Sequence, residues 1–213
     1  MRNLNIFIFT FFIVSSCEVV EGPYQNEINN NGSSETILQK ILIEDFTGHT
    51  CMNCPDAATE LESIKELYPN QVIGIAIHVG NTFARPLPPN SSNKYLTDFR
   101  TKWGEEIDSY FEVSSVGLPK GMINRKDEEP KSKDDWGNVV SEIINNSALF
   151  DIDISATPFV FGDCDIEVIV KALENVDGEY NIVIAITEDS IVDWQKNGSY
   201  DDSVYVHNHV LRA

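Results

Sequence analysis

KILIEDFTGHTCMNCP, residues 40–55, is the stretch whose reading decides the fold. A mostly apolar run over 41–46 ends in the turn Thr47-Gly48-His49-Thr50, and Cys51-Met52-Asn53-Cys54 leads straight into a segment of helical period. The pattern predicts a strand that feeds a C-x-x-C into the start of a helix. Such a start presents unpaired backbone N–H groups and the positive pole of the helix, both of which favour a thiolate over a thiol. A drop in the Cys51 pKa from about 8.5 to about 7 would raise the reactive fraction at neutral pH from a few per cent to roughly half. Redox chemistry is therefore the first reading, with a static disulfide or half of a zinc site as the alternatives. A zinc site needs a second ligand pair. The other cysteines, Cys17 and Cys164, stand alone in the sequence.

Working outward, residues 54–67 place Ala57, Ala58, Leu61, Ile64 and Leu67 at helical spacing, with Asp56 in the first turn and Pro69 beyond the end. QVIGIAIHV, residues 71–79, is apolar on both faces, as a strand covered by helices would be. The order strand, helix, strand is a βαβ unit. Residues 93–111 return to helical spacing through Tyr95, Phe99, Trp103, Ile107 and Phe111. A turn around Pro119 enters a short strand, and residues from Asp134 form a helix with Trp136, Val139, Val140, Ile143 and Ile144 on its apolar face. From Phe150 the period changes to two. Residues 165–172 and 180–187 are predicted as strands joined by a hairpin loop at 175–178, and 204–212 begins another. The fold class expected is α/β, with a first domain at 38–148 and a β-sandwich-like antiparallel module at 149–213, incomplete at its C-terminal end.

The chain has 213 residues, a formal charge of -19 and 42% hydrophobic content, enough for one substantial core or two small ones. The charge repels phosphate backbones and excludes nucleic acid as a partner, and it argues against electrostatic adhesion to anionic lipid. At the other end, Arg2, the apolar run 6–14 and the small residues Ser15 and Ser16 form a secretory leader too short to span a bilayer. Val14-Ser15-Ser16-Cys17 resembles the lipobox of bacterial lipoproteins, which implies cleavage after residue 16 and a lipid anchor at Cys17. Residues 17–37 have the composition of a flexible tether. A chain that leaves the cytoplasm is permitted disulfides.

Three features make residues 40–147 similar to the thioredoxin fold: the C-x-x-C at a strand-to-helix turn, an acid in the preceding strand, and Gly117-Leu118-Pro119 entering a later strand. The resemblance implies Cys51 as the attacking thiol, Cys54 as the resolving thiol and Asp45 as the proton acceptor of Cys54. Leu118 and a cis Pro119 would be the substrate rest. The leader, IEDFTGHTCMNCPDA and the closing YVHNHVLRA together resemble the family called outer membrane protein twenty-eight, thioredoxin-like lipoproteins of the Gram-negative envelope with an appended β-domain. Implied partners are extracytoplasmic protein thiols or disulfides and the membrane itself, with no cofactor and no metal. A surface binding protein or adhesin with a structural Cys51-Cys54 bond is the rival from another class.

Among the remaining residues, His49 would tune the thiolate if protonated or join both cysteines as a soft-metal site of the kind copper(I) favours, with an exposed turn histidine as the plainer alternative, and Glu44 competes with Asp45 for the inward position because strand neighbours face opposite ways. His78 is expected to be a satisfied core residue. His207 and His209 alternate on one strand face. Cys164 is either a buried thiol or the partner of a cysteine beyond Ala213.

Overall fold

A computed structural model of the chain describes residues 36–89, 93–158 and 163–213. The leader, the tether and Cys17 lie outside the described residues. The elements are β1 (Ile41–Thr47), α1 (Cys54–Leu67), β2 (Val72–His78), α2 (Lys102–Phe111), β3 (Lys120–Ile123) and α3 (Lys133–Ile143). They are followed by β4 (Phe150–Ala156), β5 (Ile166–Ala172), β6 (Thr187–Glu188), β7 (Ile191–Asn197), β8 (Tyr200–His207) and β9 (Val210–Leu211).

Five strands form one mixed sheet in the order β3-β1-β2-β9-β6. β1, β2 and β9 run parallel, while β3 and β6 lie antiparallel at the edges. Helices cover both faces, which is why β1 and β2 carry apolar residues without strict alternation. On one face Ile41 and Ile43 meet Ala57, Leu61 and Ile64 of α1 and Trp136, Val140 and Ile143 of α3. On the other, Phe46, Ile77, Val79, Met122 and Leu211 pack with Ile107 and Phe111 of α2. Gly121 makes room for the first packing layer: a Cβ there would stand 2.4 Å from the Trp136 ring.

Leu211 and Val210 come from the far end of the chain, which corrects the expected domain boundary. β6 and β9 enter the same sheet as β1, and residues 36–213 cluster as a single compact unit. The separate β-module at 149–213 is not formed, because its last strands complete the first core. What it does contain is two antiparallel pairs, β4 with β5 and β7 with β8. β7 falls in a stretch given no element above, and residues 180–186 form no strand. The helix expected over 93–111 starts only at Lys102, where Thr101 caps it by accepting from the Gly104 N–H at 3.0 Å. Left-handed backbone at Asn93 (φ 47) and Tyr95 (φ 58) breaks helical period upstream. Tyr95 and Phe99 are still buried, but from a loop, and Trp103 is 52% exposed.

Candidate functional site

The C-x-x-C lies at the C-terminal end of β1. Thr47 ends the strand, and Pro55 sits in the first turn of α1, where its missing N–H costs nothing. Cys51 and Cys54 form a disulfide, with their Cα atoms 5.4 Å apart. The turn between strand and cysteines is tight against residues 81–89. A Cβ on Gly48 would meet the Phe83 carbonyl carbon at 2.5 Å, and Thr50 donates to the Phe83 carbonyl from both N–H (3.0 Å) and hydroxyl (2.9 Å).

Exposure is where the site departs most from expectation. An attacking thiol such as the one implied at Cys51 has to be reached by its substrate, yet both cysteines are only 2% exposed. The β7–β8 hairpin covers them. Lys196 N–H donates to the His49 carbonyl at 2.8 Å and Gly198 N–H to the Met52 carbonyl at 2.9 Å. The buried Gln195 amide donates to the carbonyls of Cys51 (3.0 Å) and Gly48 (3.3 Å). A second cover is the loop that carries Lys94, Tyr95 and Phe99. Asp201 on β8 ties the two covers together by accepting from Tyr95 Oη at 2.6 Å, Lys94 Nζ at 2.7 Å and Lys196 Nζ at 3.2 Å. Hydrogen bonds from Lys94, Tyr95 and Lys196 hold the Asp201 carboxyl well below the usual carboxylate range.

Asp45 and Glu44 are both buried, on opposite faces of β1. Glu44 is neutralised by a two-point ion pair with Arg125, at 2.7 and 2.9 Å. Asp45 has no such partner: its Oδ1 makes no hydrogen bond, and burial pushes its pKa up from 3.8 to about 8. It is a neutral acid at pH 7 and shares a cavity of about 280 Å³ with Cys54, Gln195, His78, Tyr205 and His207. The strand alternation therefore brings Asp45, not Glu44, to the second cysteine. The Leu118-Pro119 bond is cis. Because Lys120 pairs with Phe46, this bond stands at the end of β1 that enters the C-x-x-C turn.

His49 does not fulfil the role of a protonated neighbour. It is fully buried against Tyr95 (ring centres 5.4 Å) and Phe99 (6.0 Å), and burial lowers its pKa, so the ring is neutral at pH 7. His78 is buried but not satisfied, since its Nδ1 lacks a partner. His207 and His209 part company. His209, with a positive φ of 58 after β8, bonds Glu62 and Asp189, both at 2.9 Å, whereas His207 turns inward to His78, 5.7 Å between ring centres. Cys164 is a free, half-buried thiol near the β4–β5 pair, donating to the Thr157 carbonyl at 3.0 Å. Sequence reasoning missed the hairpin altogether, although Asn197-Gly198 is a strong two-residue turn signal.

A family model described as outer membrane protein Omp28 matches residues 105–213, from α2 through β9. The chain belongs to the Omp28 outer membrane protein family. Membership makes this Omp28 protein a protein of the cell envelope, and among its described residues no helix is long and apolar enough to cross a membrane. The match takes in the cis bond and the covering hairpin and begins after the cysteine pair. No curated protein matches the chain. A crystal structure of a protein from Agrobacterium tumefaciens is similar at 14% identity and a TM-score of 0.45, over 85% of this chain and 72% of that one.

Proposed function

We propose that this envelope protein carries out thiol-disulfide exchange on extracytoplasmic proteins through Cys51 and Cys54, on a thioredoxin-like core held to the outer membrane by a lipid on Cys17. The observation that carries the reading is Asp45, a partnerless buried carboxyl at pKa about 8 in the same cavity as Cys54. A structural disulfide has no use for such a group, and leaving it unpaired costs roughly 1–3 kcal/mol. An acid whose pKa lies near that of a thiol is matched to move a proton either way.

An incoming substrate thiolate attacks Cys51 Sγ. The Cys51–Cys54 bond breaks, and Cys54 leaves as a thiolate that takes the proton of Asp45. In the reverse direction the Asp45 carboxylate accepts the Cys54 proton, Cys54 attacks the mixed disulfide, and the substrate thiolate departs. The end of β1 that carries the cis Leu118-Pro119 bond is where the substrate chain rests. Since both cysteines are only 2% exposed, the β7–β8 hairpin lifts before attack.

The same low exposure favours a second reading, a binding protein whose disulfide only fixes the start of α1. Trapping separates the two. A Cys54→Ser variant is expected to hold envelope proteins as mixed disulfides that dithiothreitol releases, while Cys51→Ser holds none. If neither variant captures a partner and the pair has a reduction potential below about -300 mV, typical of structural bonds, the exchange reading fails.

A further inference from the structure

A strand with a free edge presents a row of unpaired backbone groups to any other chain. The β4–β5 ribbon has only two strands, and among the described residues Ile166–Ala172 make no backbone hydrogen bond outside the ladder with β4. That edge is open, since every residue of β5 except Val168 is exposed, Ile169 by 57%. The ladder fixes which groups the edge offers. Leu173 N–H donates to the Leu149 carbonyl and Thr157 N–H to the Asp165 carbonyl, each at 2.9 Å, so the odd-numbered residues bond across the ribbon. The N–H and C=O groups of Ile166, Val168, Val170 and Ala172 therefore turn outward.

Read against its own reverse, the β5 sequence IEVIVKA is self-complementary. Turned antiparallel about Ile169, Val168 faces Val170 of a second copy, and Ile166 faces Ala172. These even-numbered residues meet as hydrogen-bonded pairs with about eight main-chain bonds in all. Glu167 faces Lys171 of the other copy in a close, non-hydrogen-bonded pair, where opposite charges attract and like charges repel. Centring the pairing on Glu167 or on Lys171 instead would set like charges against each other. Lys171 is the one lysine or arginine between Lys133 and Lys196. It lies across the ladder from Asp151, yet neither Lys171 nor Glu167 is in an ion pair among the described residues. The other edge behaves differently: pairing β4 with its own copy about Ile152 or Asp153 sets acid against acid.

We propose that β5 is a dimerisation edge, along which two copies of this chain pair antiparallel about a twofold axis at Ile169 and join their ribbons into one four-stranded sheet. The contact is the same patch on both copies, so the assembly closes at two. Seven residues span about 23 Å, and a paired edge of that length hides on the order of 1,000 Å² in total, the low end of specific interfaces. The dimer is therefore reversible and depends on concentration. It is independent of the chemistry at the cysteines, and its failure leaves the exchange reading untouched.

The test uses the full chain with Cys17 and Cys164 replaced by Ser and the Cys51–Cys54 bond intact. Sedimentation equilibrium from micromolar to millimolar protein is expected to show a reversible monomer–dimer equilibrium. Lys171→Glu weakens it at least tenfold, and adding Glu167→Lys to that variant restores it. Cross-linking with diamide reads the register. Ile169→Cys links to its own copy, because residues on the axis have Cα atoms ~4.5 Å apart, within the ~4.4–6.8 Å that a disulfide spans. Glu167→Cys alone and Lys171→Cys alone stay ~14 Å from their own copies and remain unlinked, whereas their equal mixture links. A monomer at every concentration, association unchanged by Lys171→Glu, or Glu167→Cys linking to itself as fast as the mixture links overturns the proposal. The cross-links report position directly and decide the matter even if the charge reversal disturbs the ribbon.

Discussion

The β7–β8 hairpin and the β4–β5 ribbon are antiparallel pairs of nearly equal length that meet opposite ends. The ribbon has the cleaner alternation: Phe150, Ile152, Ile154, Ile166, Val168 and Val170 all share one face through their register. Yet Ile152 is 56% and Ile154 69% exposed. Its bases are joined by a Leu173 N–H to Leu149 carbonyl bond of 2.9 Å, and Phe150 meets the Tyr180 ring edge-on. The hairpin alternates poorly, with Asp193, Gln195 and Lys196 along β7, and it is docked tightly over the disulfide. Alternation makes a strand pair, but placement is decided by polar anchors. Gln195 and two backbone N–H groups bond carbonyls of the C-x-x-C turn, and Asp201 holds the hairpin to Lys94 and Tyr95 of the facing loop.

The sharpest break of this contrast is a pair of deletions. A chain ending at residue 148 loses β6, β9 and the hairpin and is expected to show no cooperative thermal transition. Removing 150–172 and joining 149 to 173 by a short turn is expected to keep a single transition, because those residues are already neighbours. A cooperative 36–148 fragment would restore the two-domain boundary.

Next in size is the pH response of the covered region. Asp45 is protonated in the folded protein up to about pH 8 and ionised above 3.8 when unfolded, so its stabilising neutral form is fully felt below 3.8 and lost as pH rises toward 8. The stability of Asp45→Asn relative to the parent should grow by about 1.4 kcal/mol per pH unit between pH 5 and 7, read from urea melts. His207 works in the other direction. Its pKa is lowered to about 4, chiefly by burial, so its contribution is full above 6.5 and lost as pH falls toward 4. Equal slopes for parent and Asn variant would mean that Asp45 is hydrated rather than buried.

Smaller still is the effect of the anchor itself. Gln195→Ala strips a donor from the Cys51 and Gly48 carbonyls and should cost about 1–3 kcal/mol. It should also speed reduction of the disulfide by dithiothreitol at least tenfold, followed by thiol release. An unchanged reduction rate would show that the hairpin does not gate the sulfurs. The smallest effect belongs to the ribbon: Ile154→Ser should shift stability by no more than ~0.5 kcal/mol.

Local pattern carried the β1–α1–β2 unit to within a residue or two, because each element follows its neighbour and takes its period from it. The turn at Pro119 was legible for the same reason, whereas alternation alone left Glu44 and Asp45 as rivals, and Asp45 was singled out only by the thioredoxin resemblance. What escaped depends on partners far away in sequence. β9 is a two-residue strand beside Ala76, too short to have a period. The low exposure of Cys51 is set by Gln195, 144 residues on, and no property of residues 40–55 announces it. Tyr95 and Phe99 are buried without their predicted helix, since helical spacing and a loop that packs inward both place large apolar residues at intervals.

One side chain of the hairpin gives the molecule an optical handle. Trp194 sits between the two covers, with the Lys94 ammonium 4.9 Å over its ring and Tyr95 6.4 Å away. If the hairpin parts from the loop, the indole trades a cation and an aromatic neighbour for water, and its emission moves to longer wavelength. With Trp103 and Trp136 replaced by Phe, the intrinsic fluorescence of a single residue would time the uncovering of the sulfurs in a stopped-flow cell, with no attached dye.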